Sequence, residues 1–327
     1  GVAPSAVALL PCHALPRERS DYSLQPMRNQ GGVIGYDSRL MKSSTSEFLT
    51  IRGLKSNVRL WGPADAPKLF LLHGWMDCSA SFQFLVDAFA RDWRVIAPDW
   101  RGFGQSEWLN RSYWFPDYLA DLERLLDHYS PDEAVRLVGH SMGGNVVGLY
   151  AGVRPARVAK LAILEGFGLH PTEPSQAPGR YAKWLDQDKA GATLRDYADL
   201  GEFAARLMRD NPRLTQAQAD FLAANFSQRR PDGRIGYAAD PWHRVVSPLL
   251  YRFEEARACW RAVTAPVLWV VARDSGLYKE FSGRAEDYAA RLASFRDLRE
   301  AVLEDSGHML HHDQPMRLVA LLEDFLG

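Results

Sequence analysis

Apolar residues fall along the chain in short runs separated by longer amphipathic stretches. Leu69 to Leu72, Arg94 to Ala97, Val135 to Val138, Val158 to Leu164 and Val267 to Val271 have the length and aliphatic content of strands covered on both faces. Leu298 to Leu303 is a sixth run and the most polar. Upstream, Glu47 to Arg52 and Asn57 to Trp61 alternate apolar and polar residues around a turn, which predicts an antiparallel hairpin at one edge. Ala80 to Ala90, Pro116 to Tyr129, Gly144 to Val153, Ala285 to Leu292 and Met316 to Phe325 carry helical periodicity. Strands alternating with helices predict an α/β fold, a mostly parallel twisted sheet with helices on both faces.

Two segments depart from this rhythm. Residues 1–45 mix Pro, Arg, Ser and Gly with little periodicity and read as an N-terminal extension. Residues 169–257 show no clear buried strand. They carry helical stretches at Arg180 to Gln187, Thr193 to Met208 and Thr215 to Phe226, then a polar turn, Pro231-Asp232-Gly233, and Asp240-Pro241-Trp242-His243. The core is therefore expected over residues 46–168 and 258–327, with residues 169–257 inserted. Ligands of such sheets bind at the carboxyl ends of the strands, so a helical insertion there is expected to act as a lid.

Composition narrows the partners. The 39 Lys and Arg nearly cancel the 40 Asp and Glu, so no net field favours nucleic acid or an anionic membrane. No apolar run reaches the length of a membrane span. Val2 to Leu10 is mildly apolar but follows no basic segment, so no signal peptide is expected. Cys12, Cys78 and Cys259 are odd in number and widely spaced, which fits neither a disulfide framework nor a zinc site; a reduced, cytoplasmic protein is expected. Several tryptophans (Trp75, Trp108, Trp114, Trp184, Trp242) fall outside the core patterns and suit either a pocket lining or plain packing. The expected partner is a small-molecule substrate.

Gly139-His140-Ser141-Met142-Gly143-Gly144 reads G-x-S-x-G between a strand-like and a helix-like run. In that setting the serine hydroxyl points into open space above the sheet. The same residues also fit a helix N-cap flanked by turn glycines, so the rest of the chain has to decide. A serine hydroxyl needs a base within reach, an orienting carboxylate and two donors for an oxyanion. His308, after the last strand and before the last helix, stands at the same sheet edge and is the candidate base. The N–H groups of Met142, just after the serine, and of Trp75, after His73-Gly74, are the candidate oxyanion donors.

Together four motifs make the chain resemble the α/β-hydrolase superfamily: His73-Gly74-Trp75, the run Asp99-Trp100-Arg101-Gly102-Phe103-Gly104-Gln105-Ser106, the turn at Ser141, and Gly307-His308 ahead of Asp313-Gln314-Pro315. They span residue 46 onward in that family's order. The resemblance implies a variable lid and the chain order nucleophile, acid, histidine. It also implies that the Asp99–Ser106 loop is structural, so Asp99 and Arg101 stay outside the chemistry. Dehalogenase-like and epoxide-hydrolase-like relatives place Asp at the nucleophile position; Ser141 points instead to acyl transfer.

Relatives carry the acid after either of two strands. At the later one the usual pattern is G-x-x-D, and here Ala272-Arg273-Asp274-Ser275 puts Ser275 at the acid's position and Asp274 one residue early. At the earlier one, Glu165 closes an apolar strand and needs a partner. Glu165 is preferred and Asp274 is the alternative. The implied activity is hydrolysis of a carboxylic ester or similar carbonyl compound through an acyl-enzyme on Ser141, carboxylesterase-like (EC 3.1.1 class), with no cofactor and no metal. His140, Trp184 and Trp242 are candidate substrate contacts. Two other readings remain open. One is a carbon–carbon bond hydrolase of ring-cleavage products using the same triad. The other is a ligand-binding receptor on a hydrolase scaffold, which the displaced Asp274 keeps in play.

Overall fold

The computed structural model describes residues 41–327, and most of the expected extension, residues 1–45, lies outside them. Its last residues do not belong to an extension, because Ser44 and Thr45 already pair in the first strand, β1 (Ser44–Ile51). β1 and β2 (Leu54–Trp61) form the expected antiparallel hairpin, Ser44 opposite Trp61 and Ile51 opposite Leu54. Then come β3 (Lys68–Leu72), β4 (Arg94–Pro98), β5 (Val135–His140) and β6 (Val158–Leu164). The segment that follows contains β7 (Asp196–Tyr197), β8 (Ser227–Arg229) and β9 (Ile235–Tyr237). β10 (Val267–Ala272) and β11 (Leu298–Leu303) complete the strands of the described residues. The main sheet runs β1-β2-β4-β3-β5-β6-β10-β11. From β4 to β11 every neighbouring pair is parallel, so β3, β5, β6, β10 and β11 all end on one edge.

The strands are apolar at successive positions because both faces are covered. Leu69 and Leu71 point to one layer, with Phe82, Leu85, Leu318 and Leu322 from Gln83–Ala88, Pro315–Leu326 and the turn before them. Phe70 and Leu72 point to the other, with Leu122, Leu126, Val146, Val147 and Trp260 from Pro116–Tyr129, Met142–Val153 and Phe253–Arg261. Burying each such side chain stabilises the fold by roughly 1.5–3 kcal/mol, which fixes the period-two alternation and hence which residues end at the sheet edge.

The segment between β6 and β10 is helical, as the sequence suggests, with helices at Ala177–Ala190, Leu200–Asp210 and Gln216–Asn225. Asp199 caps the second by accepting from the Glu202 N–H at 2.8 Å, and Thr215 with Gln218 closes a capping box on the third. Phe203, Leu207, Leu222 and Ile235 bury a small core of their own together with Phe84. The segment also holds a three-stranded antiparallel sheet, β7-β9-β8, that the apolar pattern does not announce. Its strands have two or three residues each, too short for a period to register. Pro231-Asp232-Gly233 is the turn of its β8–β9 hairpin. This segment is fastened to the Asp99–Ser106 loop, where Gly104 N–H donates to the Ala238 carbonyl at 2.7 Å and Asp240 N–H to the Gly102 carbonyl at 2.8 Å. Among the described residues no helix is long and apolar enough to cross a membrane.

Candidate active site

β5 ends at His140 and a helix begins at Met142, leaving Ser141 alone at the turn. Its backbone sits at φ 51°, ψ −114°, a conformation L side chains avoid, and it is held there by its N–H donating to the Leu164 carbonyl at 2.8 Å. The turn closes this tightly because residue 143 is glycine: a Cβ there would strike the Leu72 carbonyl oxygen. The turn lifts the Ser141 hydroxyl off the sheet edge, where it meets Nε2 of His308 at 3.0 Å.

His308 stands on the loop after β11 with its side chain about one third exposed. Its Nδ1 lies 3.2 Å from Oε2 of Glu165, which follows β6 and is 1% exposed. A carboxylate can only accept, so Nδ1 carries the ring proton and Nε2 is left to accept from Ser141. Glu165 also accepts from the Ala272 N–H at 2.7 Å and from the Ser275 hydroxyl at 2.5 Å. Three donors offset the cost of burying this carboxylate. Asp274 is not at His308. Its N–H donates to the Ser306 carbonyl, and its half-exposed carboxylate turns outward to Arg213 at 2.8 Å. Position 275, where the sequence suggests a missing acid, instead holds the hydroxyl that braces Glu165.

The two candidate oxyanion donors belong to the turns after β5 and β3. Met142 opens its helix, so its N–H has no intrahelical acceptor. On the other side, the β3 turn passes close to the serine: a Cβ on Gly74 would stand 3.3 Å from the Ser141 Cβ. Trp75, next in the chain, has a half-exposed indole whose Nε1–H donates to the His243 carbonyl at 3.3 Å.

Residues 67–315 match the family model described as alpha/beta hydrolase fold. The chain belongs to the α/β-hydrolase family. A serine hydrolase-like protein of Danio rerio is 28% identical over 301 residues, 89% of this chain and 91% of its own length. A thioesterase domain from the curacin biosynthetic pathway superposes with a TM-score of 0.75 at 25% identity, over 86% of this chain and 99% of that domain. The naproxen esterase (carboxylesterase NP) of Bacillus subtilis shares the fold, with a TM-score of 0.62 at 20% identity, over 88% of this chain and 94% of its own.

The remaining sequence candidates of this α/β hydrolase fall elsewhere. His140 is 1% exposed and lies behind His308, whose carbonyl accepts its Nε2–H at 2.8 Å. That makes it a support of the His308 loop and not a surface for substrate. The half-buried Trp184 donates its indole N–H to Ser112 at 3.2 Å, and Trp242 sits in the turn Pro241–Arg244 capped by Asp240. Among the described residues neither ring meets Ser141, His308 or Glu165 in a hydrogen bond or ring pair.

The Asp99–Ser106 loop is bound for architecture. Asp99 accepts from the Ser79 and Gln105 N–H groups and from Asn57, and Arg101 forms two bonds of 2.6 Å with Asp121. Behind His308, burial pushes the Asp77 carboxyl up to about 7 and holds His140 and His311 well below the ordinary imidazole value. No spacing in the sequence signals these three, because the fold draws them from the turn after β3, the end of β5 and the helical turn Leu310–Asp313.

Proposed function

We propose that this α/β hydrolase is a serine hydrolase that cleaves a carboxylic ester or thioester through an acyl-enzyme on Ser141. The observation that carries the reading is the chain of contacts from the Ser141 hydroxyl to His308 at 3.0 Å and on to the buried Glu165 at 3.2 Å. His308 takes the serine proton through Nε2 while Ser141 attacks the substrate carbonyl carbon. Glu165 holds the ring in the right tautomer and stabilises the imidazolium. The Met142 and Trp75 amides meet the oxyanion, each such donor contributing about 3 kcal/mol to the transition state. The tetrahedral adduct collapses, His308 returns its proton to the leaving alcohol or thiol, and water activated by the same ring releases the acid.

Residues 169–257 serve as the lid. The helix Ala177–Ala190 buries none of its residues and leaves Tyr181 and Leu185 exposed, which suits a cover with an apolar face over an acyl chain. The free thiols of Cys78 and Cys259 fit a reducing compartment, the cytosol. The receptor reading leaned on the displaced Asp274, and Glu165 at His308 removes that support. The test is turnover of p-nitrophenyl esters and matched acyl thioesters of graded chain length. Saturable hydrolysis with a clear length preference, abolished in Ser141→Ala, is the expected result. Absence of turnover across both series would overturn ester and thioester cleavage.

A further inference from the structure

Behind His308 lies a polar cluster that acyl transfer does not use. Asp77, His140 and His311 each offer one ligand atom, and these atoms all lie within 4.8 Å of one another. The three residues are 5%, 1% and 0% exposed, and Oδ2 of Asp77, Nδ1 of His140 and Nδ1 of His311 have no hydrogen-bond partner among the described residues. Bare polar atoms at this depth are costly and call for an occupant.

The protons decide which kind. His140 donates its Nε2–H to the His308 carbonyl, so in the neutral ring Nδ1 carries a lone pair. The Ser81 hydroxyl meets Nε2 of His311 at 2.8 Å and Nε2 of His312 at 2.7 Å, and it also bonds the Asp77 carboxyl. Where His311 donates its Nε2–H to the Ser81 oxygen, its Nδ1 carries a lone pair as well. Two imidazole nitrogens and a carboxylate thus lie together. A water molecule has two protons and satisfies two of the three; a cation satisfies all.

We propose that Asp77, His140 and His311 form a buried binding site for a divalent transition-metal ion of the zinc class. Two imidazole nitrogens and one carboxylate oxygen are the donor set such ions take, whereas Mg²⁺ and Ca²⁺ favour oxygen alone. All three ligands are buried, so the ion is structural. It ties the turn after β3, the end of β5 and the turn Leu310–Asp313 into one support beneath His308. The site stands whether or not Ser141 is the nucleophile.

The test uses the full chain, stripped with chelator and dialysed against Zn²⁺ or Co²⁺. About one equivalent of zinc retained per chain is expected, together with visible absorbance from the Co²⁺ form and a raised melting temperature. Asp77→Asn and His311→Gln, checked for folding by circular dichroism, should each weaken binding at least about tenfold, consistent with the loss of one of three ligands. His170→Gln, at an exposed histidine, should leave it unchanged. No uptake by folded wild-type protein would overturn the site and leave water or a proton as its occupant. Binding that survives both ligand variants, or disappears in His170→Gln, would overturn it equally.

Discussion

The Ser275 hydroxyl donates to Oε2 of Glu165 at 2.5 Å, and both side chains are 1% exposed. Ser275 also starts the helix Gly276–Ser282 by accepting from the Tyr278 N–H. It thus links the end of β10 to the carboxylate that meets His308. Hydrogen bonds to charged groups contribute about 1.5–3 kcal/mol, so Ser275→Ala is expected to lower kcat about tenfold or more with little change in KM. Ser275→Thr, which keeps a hydroxyl and a cap, should recover most of that loss. Equal activity in Ser275→Ala and wild type would remove Ser275 from the relay.

The two candidate acids are distinguished by their neighbours. Glu165→Gln keeps the shape but cannot hold the His308 proton, and a triad carboxamide change of this kind costs about 10⁴ in kcat. Asp274→Asn disturbs only half-exposed pairs with Arg213 and Lys279, and kcat should stay within about threefold, as expected for a surface ion pair. Steady-state kinetics on both variants decide between them. A larger loss in Asp274→Asn would invert the assignment.

Much of the fold and part of the site can be read from residues alone. Five aliphatic runs appear as strands because two covered faces demand near-continuous apolar sequence, and the edge hairpin appears through its alternation. Ser141, His308 and Glu165 lie at strand ends, where that pattern stops. The small sheet formed by β7, β8 and β9 escaped because its short, half-exposed strands leave no period. Ser275 escaped for a different reason. A family-based expectation looks for a carboxylate at that position, and a hydroxyl there reads as a loss until Glu165 is seen beside it. His140, next to the nucleophile in sequence, invites a substrate role; only the direction of β5 shows that its ring turns inward, beneath His308.

Backbone contact at the turn gives a stability prediction. Gly143→Ala places a methyl group against the Leu72 carbonyl oxygen, where neither β3 nor the helix Met142–Val153 can yield cheaply. A loss of about 3 kcal/mol or failure to fold is expected, in the range of core overpacking. Gly179→Ala meets nothing within 4 Å in the exposed helix Ala177–Ala190 and should stabilise by about 0.5–1 kcal/mol. Denaturant titrations measure both. The same sign for the two variants would contradict the packing described.

Acid should destabilise the protein through buried histidines. His243 is stacked between Phe103 and Tyr113, and burial holds it down to about 3, while His73, also buried, is held to about 4. Both are neutral in the fold and take a proton in the unfolded chain below about 6.5. Their contribution is therefore complete above pH 6.5 and is lost as pH falls towards the folded values, by about 1.4 kcal/mol per pH unit per proton. His243→Gln should remove one proton's share of that slope between pH 6 and about 4. An unchanged slope in unfolding titrations across that range would place His243 in water.

The proposed role of Ser141 is that of a nucleophile activated by His308. Its most direct test is labelling of the folded, full-length protein with a fluorophosphonate, followed by mass spectrometry of the modified peptide. One label per chain is expected, on Ser141, with none in Ser141→Ala and much slower labelling in His308→Ala. Folded wild-type protein that takes up no label, or takes it on another residue, would contradict it.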